Sequence, residues 1–178
     1  MKKSLPKPKA IVFPKGPLLT PIMGRGLSDK RFVKLSGNVV QSCIDGPSGK
    51  SSASSPTASM LIESLKAGLP MEELASLRAS LDLPMDRLAP LLGISKATLH
   101  RRKAAGRLDP AESDRVLRFA RLMGRAVEVL ETEQNARSWL TSPQYGLGGA
   151  VPLDYAGTEV GAREVEDLLG RIAHGVYS

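Results

Sequence analysis

Apolar residues recur at helical spacing through most of the chain after residue 59, and this periodicity predicts a succession of amphipathic helices. The longest predicted helix follows Asp109-Pro110, an Asx cap with proline at the first helical position. Within it, Val116, Met123 and Leu130 keep the helical period, and Gly124 is the one weak point. A second clear stripe begins after Thr158, a further N-cap. The pattern therefore predicts an all-α protein.

The segment from Pro84 to Lys103 has the spacing of a helix-turn-helix. Ala89 is small where the second helix must come close, and Gly93 supplies the turn four residues later. Ser95 can cap the second helix, which presents Leu99 inward. Five basic residues and no acidic one lie between positions 96 and 107, which favours nucleic acid as the ligand. The predicted DNA-contacting residues are Ser95, Lys96, Thr98, His100, Arg101, Arg102 and Lys103.

Two residues of this segment depart from the usual pattern, and they keep an alternative open. Pro90 lies inside the first helix, which it should kink or shorten, and Arg102 occupies a place where the motif usually has an apolar residue. The alternative is a plain αα-hairpin with a solvated basic face, on which His100 is simply exposed. On the long helix, a row of four arginines either flanks DNA or forms a solvated face: Arg115, Arg118, Arg121 and Arg125.

Positive charge is concentrated at the N-terminal end of the chain. The net charge is +7, yet residues 1–50 alone carry ten Lys/Arg against two Asp. Residues 1–58 are rich in Pro, Gly, Ser and Lys, so we predict a disordered basic segment there. Gly46 to Ser51 superficially resembles a phosphate loop but lacks its spacing and its preceding strand. Met60 is an alternative start, in which case the basic segment is upstream translation.

The composition points to a binding protein in a reducing compartment. Cys43 is the single cysteine, which excludes an internal disulfide, and no apolar run reaches the length of a membrane span, so we expect a cytoplasmic protein. His100 and His174 are far apart and have no partners at metal-ligand spacing. We therefore expect no metal, no cofactor and no catalytic residues, and we predict that the chain is not an enzyme.

The C-terminal third carries a characteristic succession of short motifs. They are Trp139-Leu140, Leu147-Gly148-Gly149, Pro152-Leu153-Asp154, the run from Val165 to Ile172, and Gly175-Val176-Tyr177. This succession, with the start of the long helix, resembles the antitoxins of the Xre/MbcA/ParS type over roughly Pro70 to Ser178. The resemblance implies a helix-turn-helix DNA-binding and oligomerisation domain at 59–131 and a toxin-binding domain at 132–178.

The resemblance also implies partners and a mechanism. The partner would be a RES-domain toxin that consumes NAD, and the last helix with the terminal residues would fill its active site. The antitoxin would repress its own operon by binding operator DNA, as a homodimer or a higher hetero-oligomer with the toxin. The toxin-binding residues expected on this basis are Trp139, Leu168, Ile172, Val176, Tyr177 and Ser178.

Two of these residues, and the function itself, have alternatives. Trp139 suits either an interface or the core of the small domain, whereas Tyr177, at the chain end, suits partner contact. A free-standing transcription regulator with a C-terminal dimerisation domain is the alternative function. An NAD-handling enzyme is a second one, which a blank NAD turnover assay of the purified chain would exclude.

Overall fold

The computed structural model describes residues 39–45 and 58–176, and the architecture below refers to them. The predicted all-α class is confirmed, because this part of the chain contains helices and no strand. None of these helices is long and apolar enough to cross a membrane. In chain order the helices are α1 (Val39–Asp45), α2 (Ala58–Ala67), α3 (Met71–Leu81), α4 (Met85–Leu91), α5 (Lys96–Ala105), α6 (Pro110–Leu130), α7 (Glu133–Thr141), α8 (Pro152–Tyr155) and α9 (Glu159–Ala173), with a 3-10 turn at Tyr145–Leu147.

Helix α6 is the central helix of the fold and begins where the sequence predicts. The Asp109 side chain accepts a hydrogen bond from the Ala111 N–H at 3.0 Å, and the Glu112 carboxylate accepts one from the Asp109 N–H at 2.8 Å. These reciprocal bonds form a capping box ahead of Pro110. The apolar face of α6 packs against α1, α2, α3, α7 and α9. Its fully buried Phe119 and Met123 each contribute about 1.5–3 kcal/mol of burial free energy.

The predicted helix-turn-helix is formed by α4 and α5. Gly93 has a φ of +67°, in the left-handed region that glycine adopts without strain, and it turns the chain between the two helices. Ile94 follows it into the core. Pro90 lies in the last turn of α4, which ends one residue later, in keeping with the shortened helix that its missing N–H predicts.

The prediction that residues 1–58 are disordered is wrong for Ala58, with which α2 begins, and for residues 39–45. They form α1, whose Val39, Val40 and Ile44 are buried and pack against α3 and α6. Its apolar pairs Val39-Val40 and Cys43-Ile44 have helical spacing, but seven residues in a segment rich in Pro, Gly and Ser are too few to predict a helix. A chain starting at Met60 would lack this part of the core. The rest of the predicted segment, 1–38 and 46–57, lies outside the described residues.

Two distant residues hold α1 in place. Glu73 of α3 is fully buried, and its two carboxylate oxygens accept hydrogen bonds from the N–H groups of Val39 (3.1 Å) and Val40 (2.9 Å). These are N–H groups that a helix start leaves without partners of its own. Gly124 of α6 allows the backbones to meet, because a Cβ there would overlap the carbonyl oxygen of Cys43. The weak point of the long helix is thus the place where α1 packs.

Candidate functional site

Helix α5 presents the first candidate surface, and its start is well defined. The Ser95 hydroxyl oxygen accepts a hydrogen bond from the Thr98 N–H at 3.1 Å and donates to Thr98 Oγ1 at 2.9 Å. The predicted cap is therefore confirmed. The preceding turn is fixed from α6, because Arg115 Nη1 donates to the Leu92 carbonyl at 2.9 Å. This contact holds the end of α4, and through it the angle at which α5 leaves the turn.

The outer face of α5 carries cations with no ion pair within the part of the chain that the structure describes. Lys96, Arg101 and Lys103 are exposed, as is His100 between them, while Thr98 is half-buried. In helix-turn-helix proteins the N-terminal residues of the second helix contact base edges, and flanking cations contact phosphates. This face remains the predicted DNA contact, with Lys96 nearest the helix start.

Arg102, a predicted DNA contact, has acidic partners within the fold. Its Nε lies 2.8 Å from Glu112 Oε2, and its Nη2 lies 3.4 Å from Asp109 Oδ2. Glu112 is buried, so this ion pair joins α5 to the capped start of α6. The apolar residue that the motif usually has here is replaced by an arginine with a buried acidic partner. Arg102 therefore has a structural role in joining the two helices, and its contact with a phosphate stays a prediction.

Other arginines also hold helices together, including those of the row on α6. Arg118 pairs with Asp114 (2.9 Å) and, through Nε, with Glu159 at the start of α9 (3.0 Å). Arg125 pairs with Glu128 at 2.7 Å. The row is thus more than a solvated face, because Arg115, Arg118 and Arg121 each contact a different neighbouring helix or turn.

Arg121 reaches the thiol of Cys43 in α1. Burial raises the pKa of the Cys43 thiol, and the guanidinium of Arg121 beside it opposes that effect in part. The thiol is therefore kept protonated at neutral pH. No group of three or more His, Cys, Asp or Glu in the described residues is arranged to hold a metal ion.

The C-terminal domain contains the second candidate surface. Trp139 is half-buried against the hydrophobic core, as expected for the anchor of a small domain. Leu168 is buried and lies against the turn at Gly146, where a Cβ would come within 2.6 Å of its Cδ1, and its contact with the toxin stays a prediction. Ile172 is half-buried and Val176 is exposed. The predicted contacts Tyr177 and Ser178 lie outside the described residues.

Comparison with known proteins gives a match for the helix-turn-helix region and another for the C-terminal domain. Residues 60–121 match the antitoxin Xre-like helix-turn-helix domain, and residues 125–175 match the antitoxin Xre/MbcA/ParS C-terminal toxin-binding domain. The antitoxin Xre of Yersinia enterocolitica is 36% identical over 121 residues, which cover 67% of this chain and 82% of that protein.

Two further relatives extend the comparison. The antitoxin Xre of Photorhabdus laumondii is 37% identical over 90 residues, covering 49% of this chain and 61% of that protein. A protein of Sphingobium sp. named Prs ADP-ribosylating antitoxin is 27% identical over 124 residues, which cover 64% of this chain and 78% of that protein.

The fold and the matches define a class and then a family. The chain is a helix-turn-helix protein with a small helical domain of the toxin-binding type after it. More particularly, it belongs to the Xre family of antitoxins. Its helix α1 lies before both matched ranges, so this part of the core is not described by either family model.

Proposed function

We propose that this antitoxin neutralises a RES-type, NAD-consuming toxin by placing its C-terminal end in the toxin's active site. We further propose that it represses its own operon through the exposed face of α5. The observation that carries the first proposal is the way α9 ends. Its inner face is packed within the domain, whereas residues 174–176, which follow it, are exposed.

The end of α9 is directed by hydrogen bonds. The Val176 N–H donates to the Arg171 carbonyl at 2.9 Å, and the Gly175 N–H donates to the Ile172 carbonyl at 3.1 Å. With Gly175 at a φ of +67°, these bonds form a Schellman motif, which turns the chain away from the helix axis. Val176 is 53% exposed at this turn. Val176, the last described residue, is therefore held at a defined point of the domain surface, which suits contact with a cleft.

The charge of the domain supports the same partner. Residues 132–178 carry six carboxylates and three arginines, a net charge of −3 in a chain whose total is +7. A site that binds NAD needs basic groups for the pyrophosphate. An acidic domain is complementary to such a cleft.

The proposed repression rests on the cationic face of α5. Lys96 and Arg101 are exposed on it, and a helix-turn-helix normally binds as a dimer to two half-sites about one helical turn apart. We propose that a homodimer, or a larger complex with the toxin, supplies the second helix. A free-standing regulator would use the same face but would have no toxin partner.

The Sphingobium relative favours a second candidate for the toxin's reaction. Its name associates it with ADP-ribosylation of Prs. ADP-ribosyl transfer also consumes NAD, so both candidates place an NAD cleft opposite the antitoxin. They differ in whether the ADP-ribose is released or is attached to a protein.

Co-production tests the proposal in cells. The protein encoded beside this chain is produced alone and together with it, while growth and cellular NAD are measured. We expect the neighbour alone to deplete NAD and stop growth, and co-production to restore both. Mass analysis of cellular proteins for added ADP-ribose separates the two reactions. A neighbour that leaves NAD unchanged contradicts the proposal, and NAD turnover by the purified antitoxin itself would favour the enzyme alternative.

A further inference from the structure

The most exposed large apolar side chain in the described residues lies in the toxin-binding domain, far from the C-terminal end in sequence. Tyr145 is 98% exposed at the first position of the 3-10 turn. We propose that Tyr145 is a second docking point for the toxin, separate from the C-terminal end. This inference rests on the proposed function and assigns a residue that neither the motifs nor the predicted contacts included.

The turn that carries Tyr145 is rigid. Gln144 closes it, because its N–H donates to the Ala150 carbonyl (3.0 Å) and its carbonyl accepts from the Gly149 N–H (2.9 Å). The Gln144 side chain donates to the carbonyls of Trp139 (2.9 Å) and Ser142 (3.0 Å). These bonds fix the turn to α7. A side chain held on such a turn binds a partner without the cost of ordering a loop.

The turn is also fixed to α9, whose first residues carry further exposed apolar surface. Gly146 packs directly on Leu168, as the 2.6 Å from a built Cβ to Leu168 Cδ1 shows. Leu168 belongs to a ridge that runs back along α9 in steps of four residues through Glu164 to Val160. Val160 is 72% exposed, and the neighbouring Tyr155 is 43% exposed. Tyr145, Val160 and Tyr155 are therefore three exposed apolar side chains of the same domain, and the buried Leu168 and the charged Glu164 lie between Tyr145 and the other two.

The chemistry around Tyr145 favours the toxin as its partner over a second copy of this chain. Tyrosine is enriched at the centre of protein interfaces, where its ring fills a pocket and its hydroxyl stays hydrogen-bonded. The domain around it carries a net charge of −3, with Glu164 within the ridge. Two such domains facing each other repel, whereas a toxin that binds an anionic dinucleotide has basic surface near its cleft. Tyr145, Tyr155 and Val160 all lie within 125–175, the range matched by the toxin-binding domain.

The test compares the affinity of three variants for the protein encoded beside this chain. We expect Tyr145→Ala to weaken the complex by about thirty-fold, the size of an interface hot spot. Tyr145→Phe should retain most of the affinity, because it keeps the ring. Ile62→Ala on α2 is the matched control, since Ile62 is also exposed but lies outside the domain. At saturating concentration the Tyr145→Ala chain should still inhibit fully, because its C-terminal end is intact.

Several outcomes would overturn the inference. Wild-type affinity of the Tyr145→Ala chain excludes the second docking point and leaves the proposed function in place. If light scattering gave a lower mass for the isolated Tyr145→Ala chain than for the isolated wild-type chain, Tyr145 would join two copies of the antitoxin instead. Failure of the wild-type chain to bind its neighbour would remove the proposed function, and with it this inference. The thermal unfolding of Tyr145→Ala should match the wild type, because the side chain is almost wholly exposed.

Discussion

Replacing Gly124 by alanine tests the packing of α1 on α6. Gly124 lies inside α6, and a Cβ there would overlap the Cys43 carbonyl oxygen and come within 3.1 Å of the Cys43 carbonyl carbon and 3.2 Å of Ile44 Cα. All three atoms belong to the backbone of α1, so no side chain can rotate to make room. The substitution must therefore push α1 away from α6.

The expected magnitude follows from two opposing effects. Alanine is favoured over glycine inside a helix by about 0.8–1.0 kcal/mol. Overpacking a core costs about 1–3 kcal/mol, and the upper end applies where the crowded atoms are backbone. We therefore expect Gly124→Ala to lower the free energy of unfolding by about 2 kcal/mol.

Gly170→Ala is the matched control, because Gly170 also lies inside a helix and a Cβ there would meet nothing within 4 Å. It should raise the free energy of unfolding by about 0.8–1.0 kcal/mol. At about 2–4 °C per kcal/mol for a chain of this size, calorimetry should show Tm falling by about 4–8 °C for Gly124→Ala and rising by about 2–4 °C for the control. Equal stabilisation by both substitutions would refute the packing of α1 on α6.

Four further results are expected. Deleting residues 1–57 should lower Tm, because it removes α1 with its buried Val39, Val40 and Ile44, and an unchanged Tm would show that α1 adds nothing to the fold. Cys43 should react with iodoacetamide more slowly than a free thiol at pH 7.5, since burial raises its pKa, and Gly124→Ala should speed the reaction; fast labelling of the wild type would contradict the burial. Arg102→Ala should lower Tm by leaving buried Glu112 without its partner, and the reasoning fails if only DNA affinity changes. Lys96→Ala with Arg101→Ala should weaken operator binding by about 1–3 kcal/mol for each base that these side chains read, with Tm and toxin inhibition unchanged. Undiminished binding by that double variant would exclude this face.

Local signals predicted the helix starts well. Ser95, Asp109 and Thr158 each accept a hydrogen bond from a backbone N–H at the start of the helix that follows. Such caps depend only on residues two or three positions along the chain, which the sequence places beside them. The apolar period of α6 likewise fixed which of its faces is buried.

Interactions between distant residues could not be predicted in the same way. The carboxylate that caps α1 comes from Glu73, 34 residues beyond Val39, so no local spacing relates the two. Arg102 is basic and close to other basic residues, yet its position faces Glu112 once α5 folds back on α6. Composition alone predicted a disordered N-terminal segment and a DNA contact for Arg102. It does not show which residues a folded chain brings together. Gly124 marked a weak point of the long helix in the sequence, but which helix packs against it follows only from the structure.

The most direct test of the central claim measures NAD loss catalysed by the purified toxin, titrated with the antitoxin and with a chain lacking residues 176–178. Binding of both chains to the toxin is measured in parallel. The account predicts that the full chain stops NAD loss at one antitoxin chain per toxin active site, whereas the shortened chain still binds but leaves most of the activity. The deletion removes only the last residues beyond the packed face of α9, so the domain should remain folded. Complete inhibition by the shortened chain would contradict the claim that the C-terminal end blocks the active site.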